Sequence, residues 1–113
     1  MPASLATLTC QPIPHGTAAL EPAAIAGWLP QLPQWTLNAD STALQREFRF
    51  RDFYATMAFV NALAWVAHQQ DHHPDLQVGY NRCLVTWHTH AVGGLSRNDF
   101  ICAARTDALE PTA

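Results

Sequence analysis

One continuous stretch decides the fold. Residues 43–76 read ALQREFRFRDFYATMAFVNALAWVAHQQDHHPDL. The first part, Ala43 to Arg51, alternates apolar and polar side chains. This period of two predicts a strand with one solvent-exposed face. Asp52 then stands where a side-chain oxygen can cap a helix. The helix is predicted to run from about Phe53 to Gln70 and to end before Pro74, because proline disfavours helical geometry at the preceding residue.

The helix predicted in this stretch is apolar on several sides. No ionised side chain lies between Asp52 and Asp71, although a surface helix of a globular protein normally carries a charged face. We therefore expect this helix to be buried on more than one side, against a sheet and against another subunit. Arg46 is the one exception to the neighbouring strand pattern, because it falls on the apolar face of that strand.

Further elements are predicted on both sides of this stretch. They are a helix at Leu20–Leu29, an extended piece at Trp35–Asn38, strands at Leu76–Tyr80 and Leu84–His90, a glycine loop at Ala91–Leu95, and a last helix from Ser96, with Asp99 as its capping-box partner, to near Glu110. The order is helix, strand, strand, helix, strand, strand, helix. Strands that follow one another directly can pair as hairpins, so we expect an α+β layer rather than a doubly wound sheet.

Length and composition indicate one compact domain. The chain has 113 residues and is 49% apolar. This is enough to form a hydrophobic core without disulfide or metal cross-links. Residues 1–18, rich in small residues and proline, are expected to form a flexible leader, with a short docked piece around Ile13, ahead of a single domain at 19–113. The net charge is −3, which argues against nucleic-acid binding through phosphates. There is no lysine, which excludes Schiff-base chemistry on a lysine amine.

Compartment can also be inferred from composition. Neither a signal peptide nor a stretch long enough to span a membrane is visible. The three cysteines, Cys10, Cys83 and Cys102, form no C-x-x-C pair, and they indicate reduced thiols in a cytoplasmic protein.

Histidine is concentrated in one part of the chain, since five of the six histidines fall within residues 68–90. The spacings His68/His72 and His88/His90 could hold a metal ion. Histidines around one substrate could equally move protons without a metal, with Asp71 or Asp99 orienting a ring. A structural role with no chemistry is a third alternative. Composition and spacing leave all three open.

A set of short motifs resembles the pterin-4a-carbinolamine dehydratase family. The motifs are Asp71-His72-His73-Pro74, Tyr80-Asn81-Arg82, Thr89-His90, Gly94-Leu95-Ser96 and Asp99. The resemblance covers roughly residues 20–110 and includes the strand-to-helix passage at Phe48–Phe53.

The resemblance implies a fold and an activity. The fold is a four-stranded antiparallel sheet with about three helices on one face, assembled as a homodimer or homotetramer. The activity is dehydration of the 4a-hydroxytetrahydropterin made by an aromatic amino-acid hydroxylase, to a quinonoid dihydropterin, as part of tetrahydropterin recycling. No metal and no organic cofactor is implied, because the pterin is the substrate. Family members also act as transcriptional partners or assembly factors, so a non-catalytic role is the alternative.

Residue by residue, the resemblance assigns catalysis to His72, His73 and His90. Our hypothesis is that His73 and His90 flank the departing hydroxyl, while His72 binds and polarises the pterin. The residues that match those lining or bracing the family's pocket are Asp71, Pro74, Thr89 and Asp99, and Trp35 matches an aromatic near the pterin.

The resemblance leaves Trp35 with two interpretations, and three other residues depart from the family pattern. The residues alone favour a core position for Trp35, in contrast to the pterin-binding position that the resemblance implies. Two departures from the family pattern stand close to the motifs: His68 replaces a common acidic residue, and Arg97-Asn98 replaces a common Glu-Arg pair.

Overall fold

The computed structural model describes residues 4–109 and confirms the α+β class. Its elements are α1 (Pro22–Trp28), β1 (Thr36–Leu37), β2 (Leu44–Arg49), α2 (Phe53–Gln70), β3 (Asp75–Val78), β4 (Arg82–Trp87) and α3 (Arg97–Asp107), with short 3-10 helices at Leu5–Thr7, Leu29–Gln31 and His90–Val92. The predicted order is confirmed. The last helix, expected to reach near Glu110, ends at Asp107, and Glu110 lies outside the described residues. None of the helices within residues 4–109 is long and apolar enough to cross a membrane.

The sheet is antiparallel throughout, in the order β1-β2-β4-β3. Phe48 of β2 stands opposite Cys83 of β4, and Trp87 lies four residues further along β4, so all three point to the same face. On that face the Phe48 ring lies 4.7 Å from Phe59 of α2, and Trp87 Nε1 donates to Thr106 of α3 at 3.2 Å. Both long helices therefore cover the same side of the sheet, as expected.

The first helix joins the same layer through α3. The Trp28 ring meets Phe100 of α3 edge-on, with 5.4 Å between centroids, and Ile25 is buried. Pro22 begins the helix, where its missing N–H leaves no intrahelical bond unmade. The helix predicted at Leu20–Leu29 is thus present, with slightly shorter bounds.

Arg46, the exception to the strand pattern, is held on the inner face by a partner. Its guanidinium lies 2.6 Å from Asp107 Oδ1 at the end of α3 and 4.1 Å from the centroid of the Phe48 ring. A charge on the inner side of a sheet is tolerated when it is paired in this way. The alternation of the strand is therefore preserved with an ion pair in place of one apolar contact.

The central helix α2 has the predicted bounds but buries one face only. Asp52 caps it as predicted, since its Oδ1 accepts from Ala55 N at 2.8 Å. The buried residues form a single stripe of Thr56, Phe59, Leu63 and Ala67. Tyr54 and Trp65, on another face, are 82% and 59% exposed. The expected burial on more than one side is not met within the single chain.

The described part of residues 1–18 packs against the domain. Leu5 is 1% exposed and Cys10 is 9% exposed, so both belong to the core. Arg105 of α3 donates from Nε to the carbonyl of Leu8 at 3.0 Å. The docked part of the expected flexible leader is thus longer than a short piece around Ile13, because α3 supplies partners for the backbone of this segment.

Candidate active site

The turn after α2 sets the direction of the adjacent histidines. Asp71 adopts the left-handed conformation, with φ 51° and ψ 44°. The backbone N–H groups of His72 and Asp71 donate to the carbonyls of Ala67 and His68, at 3.2 and 3.3 Å. These two bonds form a Schellman motif, which turns the chain off the helix axis. Asparagine and aspartate tolerate this conformation better than other non-glycine residues, so Asp71, rather than Pro74, ends the helix.

His72 is fixed at both its edge and its face. Its Nε2 lies 2.6 Å from Asp99 Oδ1, and the side chain is 12% exposed. The imidazole stacks on the indole of Trp87, with 5.4 Å between centroids and 12° between planes. A hydrogen bond in the ring plane and an aromatic surface beneath it leave the ring little freedom.

Asp99 is the buried centre of a hydrogen-bond network. Its Oδ2 accepts from Ser96 N at 2.9 Å and from Thr89 Oγ1 at 2.7 Å. The predicted capping box of Ser96 and Asp99 is confirmed. The Ser96 and Thr89 hydroxyls are 2.7 Å apart, and Ser96 is the donor there because Thr89 gives its proton to Asp99. With both oxygens of Asp99 accepting, His72 Nε2 carries a proton, and Nδ1 is the nitrogen left for other partners.

The loop after β4 carries His90. The strand was expected to reach this residue, but it ends at Trp87, and His90–Val92 forms a 3-10 helix instead. Gly93 ends that helix with φ 65°, a conformation that favours glycine. Thr89 N donates to Gly94 O at 2.9 Å and closes the loop. The result is an exposed imidazole beside the buried Thr89.

His88 is a neighbour of His90 with a partner of its own. The two rings meet edge to face, with 4.5 Å between centroids. His88 Nε2 lies 2.9 Å from Asp75 Oδ2 on β3. His88 is thus tied to the strand surface, whereas His90 is not.

A cleft of about 570 Å³ lies between the end of α2, the loop after β4 and the N-terminal segment. Five of the predicted site residues line it: Asp71, His72, His73, Thr89 and His90. The rings of His73 and His90 form no hydrogen bond within residues 4–109, so their nitrogens are available to a ligand. An adjoining cleft of about 470 Å³ shares His90 but neither His72 nor His73.

Trp35 does not line either of these clefts. It is 5% exposed, and its Nε1 donates to Asp107 Oδ1 at 2.8 Å. Its ring meets Phe48 edge-on, with 6.2 Å between centroids. The structure thus places Trp35 in the core, as the residues alone indicate, and the pterin contact that the resemblance implies stays a prediction.

Pro74 and His68 also lie outside these two clefts. His68 is exposed and stacks on Trp65, with 5.7 Å between centroids. Although His68 and His72 are four residues apart, the Schellman turn removes His72 from the helix face. Within the described part of the chain, no group of three histidine, cysteine, aspartate or glutamate side chains is arranged to hold a metal ion.

Sequence reasoning missed two parts of the site. One is the N-terminal segment, from which Cys10, Gln11, Pro12 and Ile13 line the cleft together with Asn98. The other is Trp87, whose alternation with Cys83 and Val85 indicates a buried ring but gives no sign of its contact with His72.

Cys10 lies in the cleft lining beside a second thiol. Its Sγ is 3.4 Å from Cys102 Sγ. The hydrogen bond from Cys102 lowers the pKa of the Cys10 thiol, and that same bond, with burial, raises the pKa of Cys102. The pair therefore contains one thiol that ionises readily and one that holds its proton.

Comparisons with known proteins agree on one family. The family profile described as Pterin 4 alpha carbinolamine dehydratase matches residues 18–109. A protein of Stenotrophomonas maltophilia (strain K279a), named "Putative pterin-4-alpha-carbinolamine dehydratase", is 58% identical over 105 residues, which are 93% of this chain and 90% of that protein. A protein of the same name from Xanthomonas axonopodis pv. citri (strain 306) is 56% identical over 100 residues, or 88% and 85% of the two chains.

Two solved structures share the fold. The crystal structure of a transcriptional coactivator/pterin dehydratase from Brucella melitensis superposes with a TM-score of 0.78 at 30% identity, covering 82% of this chain and 99% of that one. A pterin dehydratase-like protein identified as a RuBisCO assembly factor in the alpha-carboxysome superposes with a TM-score of 0.61 at 25% identity, covering 71% and 93%.

Proposed function

The chain belongs to the pterin 4 alpha carbinolamine dehydratase family, and from that premise we propose that it is a hydro-lyase for a 4a-hydroxytetrahydropterin. The product is a quinonoid dihydropterin. The observation that carries the proposal is the 2.6 Å contact between His72 Nε2 and Asp99 Oδ1, in a cleft that His73 and His90 also line. One oriented imidazole beside two unbonded ones is suited to moving protons near neutral pH.

The reaction needs two proton movements and no oxidant. The C4a–O bond breaks, and its electron pair leaves with the hydroxyl group, which takes a proton and departs as water. The proton on N5 is removed, and its bonding electrons form the C4a–N5 double bond. An imidazolium supplies the first proton and a neutral imidazole takes the second. We assign these roles to His73 and His90, because both rings are exposed at the cleft and unbonded within residues 4–109.

His72 has a different role, because its Nε2 is already engaged. Asp99 accepts from that nitrogen, which leaves Nδ1 to accept a hydrogen bond from an N–H group of the pterin. The stacked Trp87 fixes the plane in which this bond forms. We therefore propose that His72 binds and polarises the pterin, and that Asp99 is its positioning residue.

Single alanine variants of His72, His73 and His90 test this assignment. The carbinolamine is generated in place by an aromatic amino-acid hydroxylase, and its dehydration is followed by stopped samples. Loss of a general acid or base should lower kcat by about 10²- to 10⁴-fold for His73→Ala and His90→Ala. His68→Ala is the matched control, because that ring lies outside the cleft. Near-normal turnover in all three cleft variants would contradict the assignment.

We propose further that the reaction uses no metal and no organic cofactor, and that it serves tetrahydropterin recycling beside an aromatic amino-acid hydroxylase in the cytoplasm. The unbonded histidines support the first part, since imidazoles can supply both proton transfers themselves. Turnover that persists after dialysis against a chelator, with metal content measured in the same sample, is the expected result. Loss of activity that added zinc or iron restores would contradict it.

The exposed face of α2 supports a homo-oligomer, as a dimer or a tetramer. Phe53, Tyr54 and Met57 border a shallow apolar groove on this helix, and Trp65 is exposed on the same helix. Apolar surface of this kind on a helix commonly marks a protein interface. We expect Tyr54→Glu with Trp65→Glu to lower the mass measured by light scattering, whereas Arg97→Glu on α3 leaves it unchanged. An unchanged mass in the double variant would contradict this interface.

A second candidate function is a non-catalytic one. The two structural relatives are called a transcriptional coactivator/pterin dehydratase and a RuBisCO assembly factor, so a pterin-binding or assembly role on the same fold is the alternative. The same assay separates the two. No acceleration over the spontaneous dehydration by a folded protein would favour the alternative.

A further inference from the structure

The N-terminal segment forms one side of the cleft that carries the histidines. Residues 10–13, called here the wall segment, line it with the end of α2 and the start of α3. Pro12 and Ile13 supply apolar surface to a lining that otherwise consists mostly of imidazole, amide and carboxylate groups. A reduced pterin has apolar ring surface as well as polar edges, so it needs both kinds of lining.

Asn98 holds the wall segment through its side-chain amide. Its Nδ2 donates to Gln11 O at 2.7 Å, and its Oδ1 accepts from Gln11 N at 3.1 Å. The amide thus pairs with both backbone groups of one residue, as a neighbouring strand would, and this fixes the position and the orientation of that backbone. Asn98 is 6% exposed and Gln11 is exposed, so both hydrogen bonds are partly buried.

The rest of the wall segment depends on the pairing of Asn98 with Gln11, called here the clamp. Cys10 N donates to Gln70 Oε1 at 2.8 Å and anchors the start of the segment. Beyond Gln11, Pro12 and Ile13 form no hydrogen bond within residues 4–109. Their place at the cleft therefore follows from where Asn98 holds Gln11.

We propose that Asn98 is a positioning residue for substrate binding, which fixes the wall segment so that Pro12 and Ile13 pack against the reduced pterin. This inference rests on the proposed function. It also gives a role to one member of the Arg97-Asn98 pair that departs from the family pattern. Pro12 and Ile13 carry no titratable group, so they take no part in proton transfer and contribute to binding alone. Their loss should therefore raise KM and leave kcat nearly unchanged.

The test compares Asn98→Ala with Arg97→Ala, an exposed neighbour outside the cleft. The first readout is the Kd of a 7,8-dihydropterin, which lacks the 4a-hydroxyl group and cannot be dehydrated. The second is hydrogen exchange of the backbone amides in the wall segment. Asn98→Ala should raise Kd and KM about tenfold, because loss of the two hydrogen bonds to Gln11 lowers the fraction of the protein in which the wall segment is in its binding position. It should also speed exchange at Gln11 and change kcat less than about threefold. Arg97→Ala should change none of these.

Ile13→Ala keeps the proposal falsifiable if Asn98→Ala does not fold. It should raise Kd without faster exchange at Gln11, because the clamp is intact. Faster exchange in Asn98→Ala with unchanged Kd and KM, or a fall in kcat at constant KM, would overturn the proposal. Absence of turnover in the unchanged protein would instead count against the proposed function. The Kd of the dihydropterin would still test whether the wall segment contributes to pterin binding.

Discussion

His72 and Asp99 form a pair in which the carboxylate is wholly buried and the imidazole, 2.6 Å away, reaches the cleft. Asp99→Asn tests whether this pair serves catalysis. An amide cannot accept at both ends, so either His72 or the Thr89 and Ser96 donors would face another donor. We expect kcat to fall about 10²-fold, measured in the hydroxylase-coupled assay.

The control for this prediction is stability. Asp99 also caps α3, so the melting temperature of Asp99→Asn must be measured beside its activity. A kcat within twofold of the unchanged protein, in a variant that is folded at the assay temperature, would contradict an orienting role for Asp99.

Thr89→Val should destabilise the fold through the same network. The change removes the hydroxyl that donates to Asp99 Oδ2 and contacts the Ser96 hydroxyl, and it leaves buried polar atoms without that partner. The free energy of unfolding should fall by about 1–3 kcal/mol, as measured by urea titration. Thr86→Val, at a half-buried position of β4, is the matched control and should cost less. Equal losses in the two variants would argue against the network.

Two tryptophans allow a paired prediction about site and core. Trp35→Phe removes the N–H bond to Asp107 and should lower the free energy of unfolding by about 1 kcal/mol with kcat/KM unchanged. Trp87→Phe removes the indole beneath His72 and should lower kcat as well as stability. A large loss of kcat/KM in Trp35→Phe, with none in Trp87→Phe, would instead support a pterin-binding role for Trp35.

The contact between Cys10 and Cys102 predicts a selective oxidation. Mild peroxide should join the two thiols as a disulfide with release of two waters per peroxide, and peptide mass spectrometry should find Cys83 still reduced. A lowered pKa means that the thiolate of Cys10 is present at a lower pH than that of an ordinary thiol. Burial raises the pKa of Cys83. Oxidation at Cys10 should therefore persist as the pH is lowered below the usual thiol range, and equal rates at Cys83 would contradict this.

The strand and helix at residues 43–70 could be predicted because periodicity is a local property. The alternation at Leu44–Arg49 and the cap at Asp52 depend on neighbours within a few residues, and their outcome agrees with the structure to within two residues. Even Arg46, which breaks the pattern, stays in register because Asp107 pairs with it. That pairing joins residues 61 positions apart, so no local sequence pattern predicts it.

Site residues that belong to a sequence motif could be predicted. Site residues that are placed by long-range contacts could not. The family resemblance supplied His72, His73 and His90, which the structure brings to one cleft. It also assigned Trp35 to the pterin site, whereas the structure buries this ring in the core, and the sequence cannot tell that Asp107, 72 residues away, accepts the indole N–H. The N-terminal wall was missed because a segment of small residues and prolines without periodicity shows no packing signal, and its partners Gln70 and Asn98 are 60 and 87 residues away.

The clamp between Gln11 and Asn98 also has a consequence for the order in which the protein is made. A ribosome releases the first of these residues long before the second, and contacts between distant parts of a chain form late. During synthesis, the strands and α2 can therefore pair while the wall segment still lacks its partner. The cleft acquires its last side only when α3 has left the exit tunnel, so a nascent chain stalled before that point should present the histidines without a closed binding site.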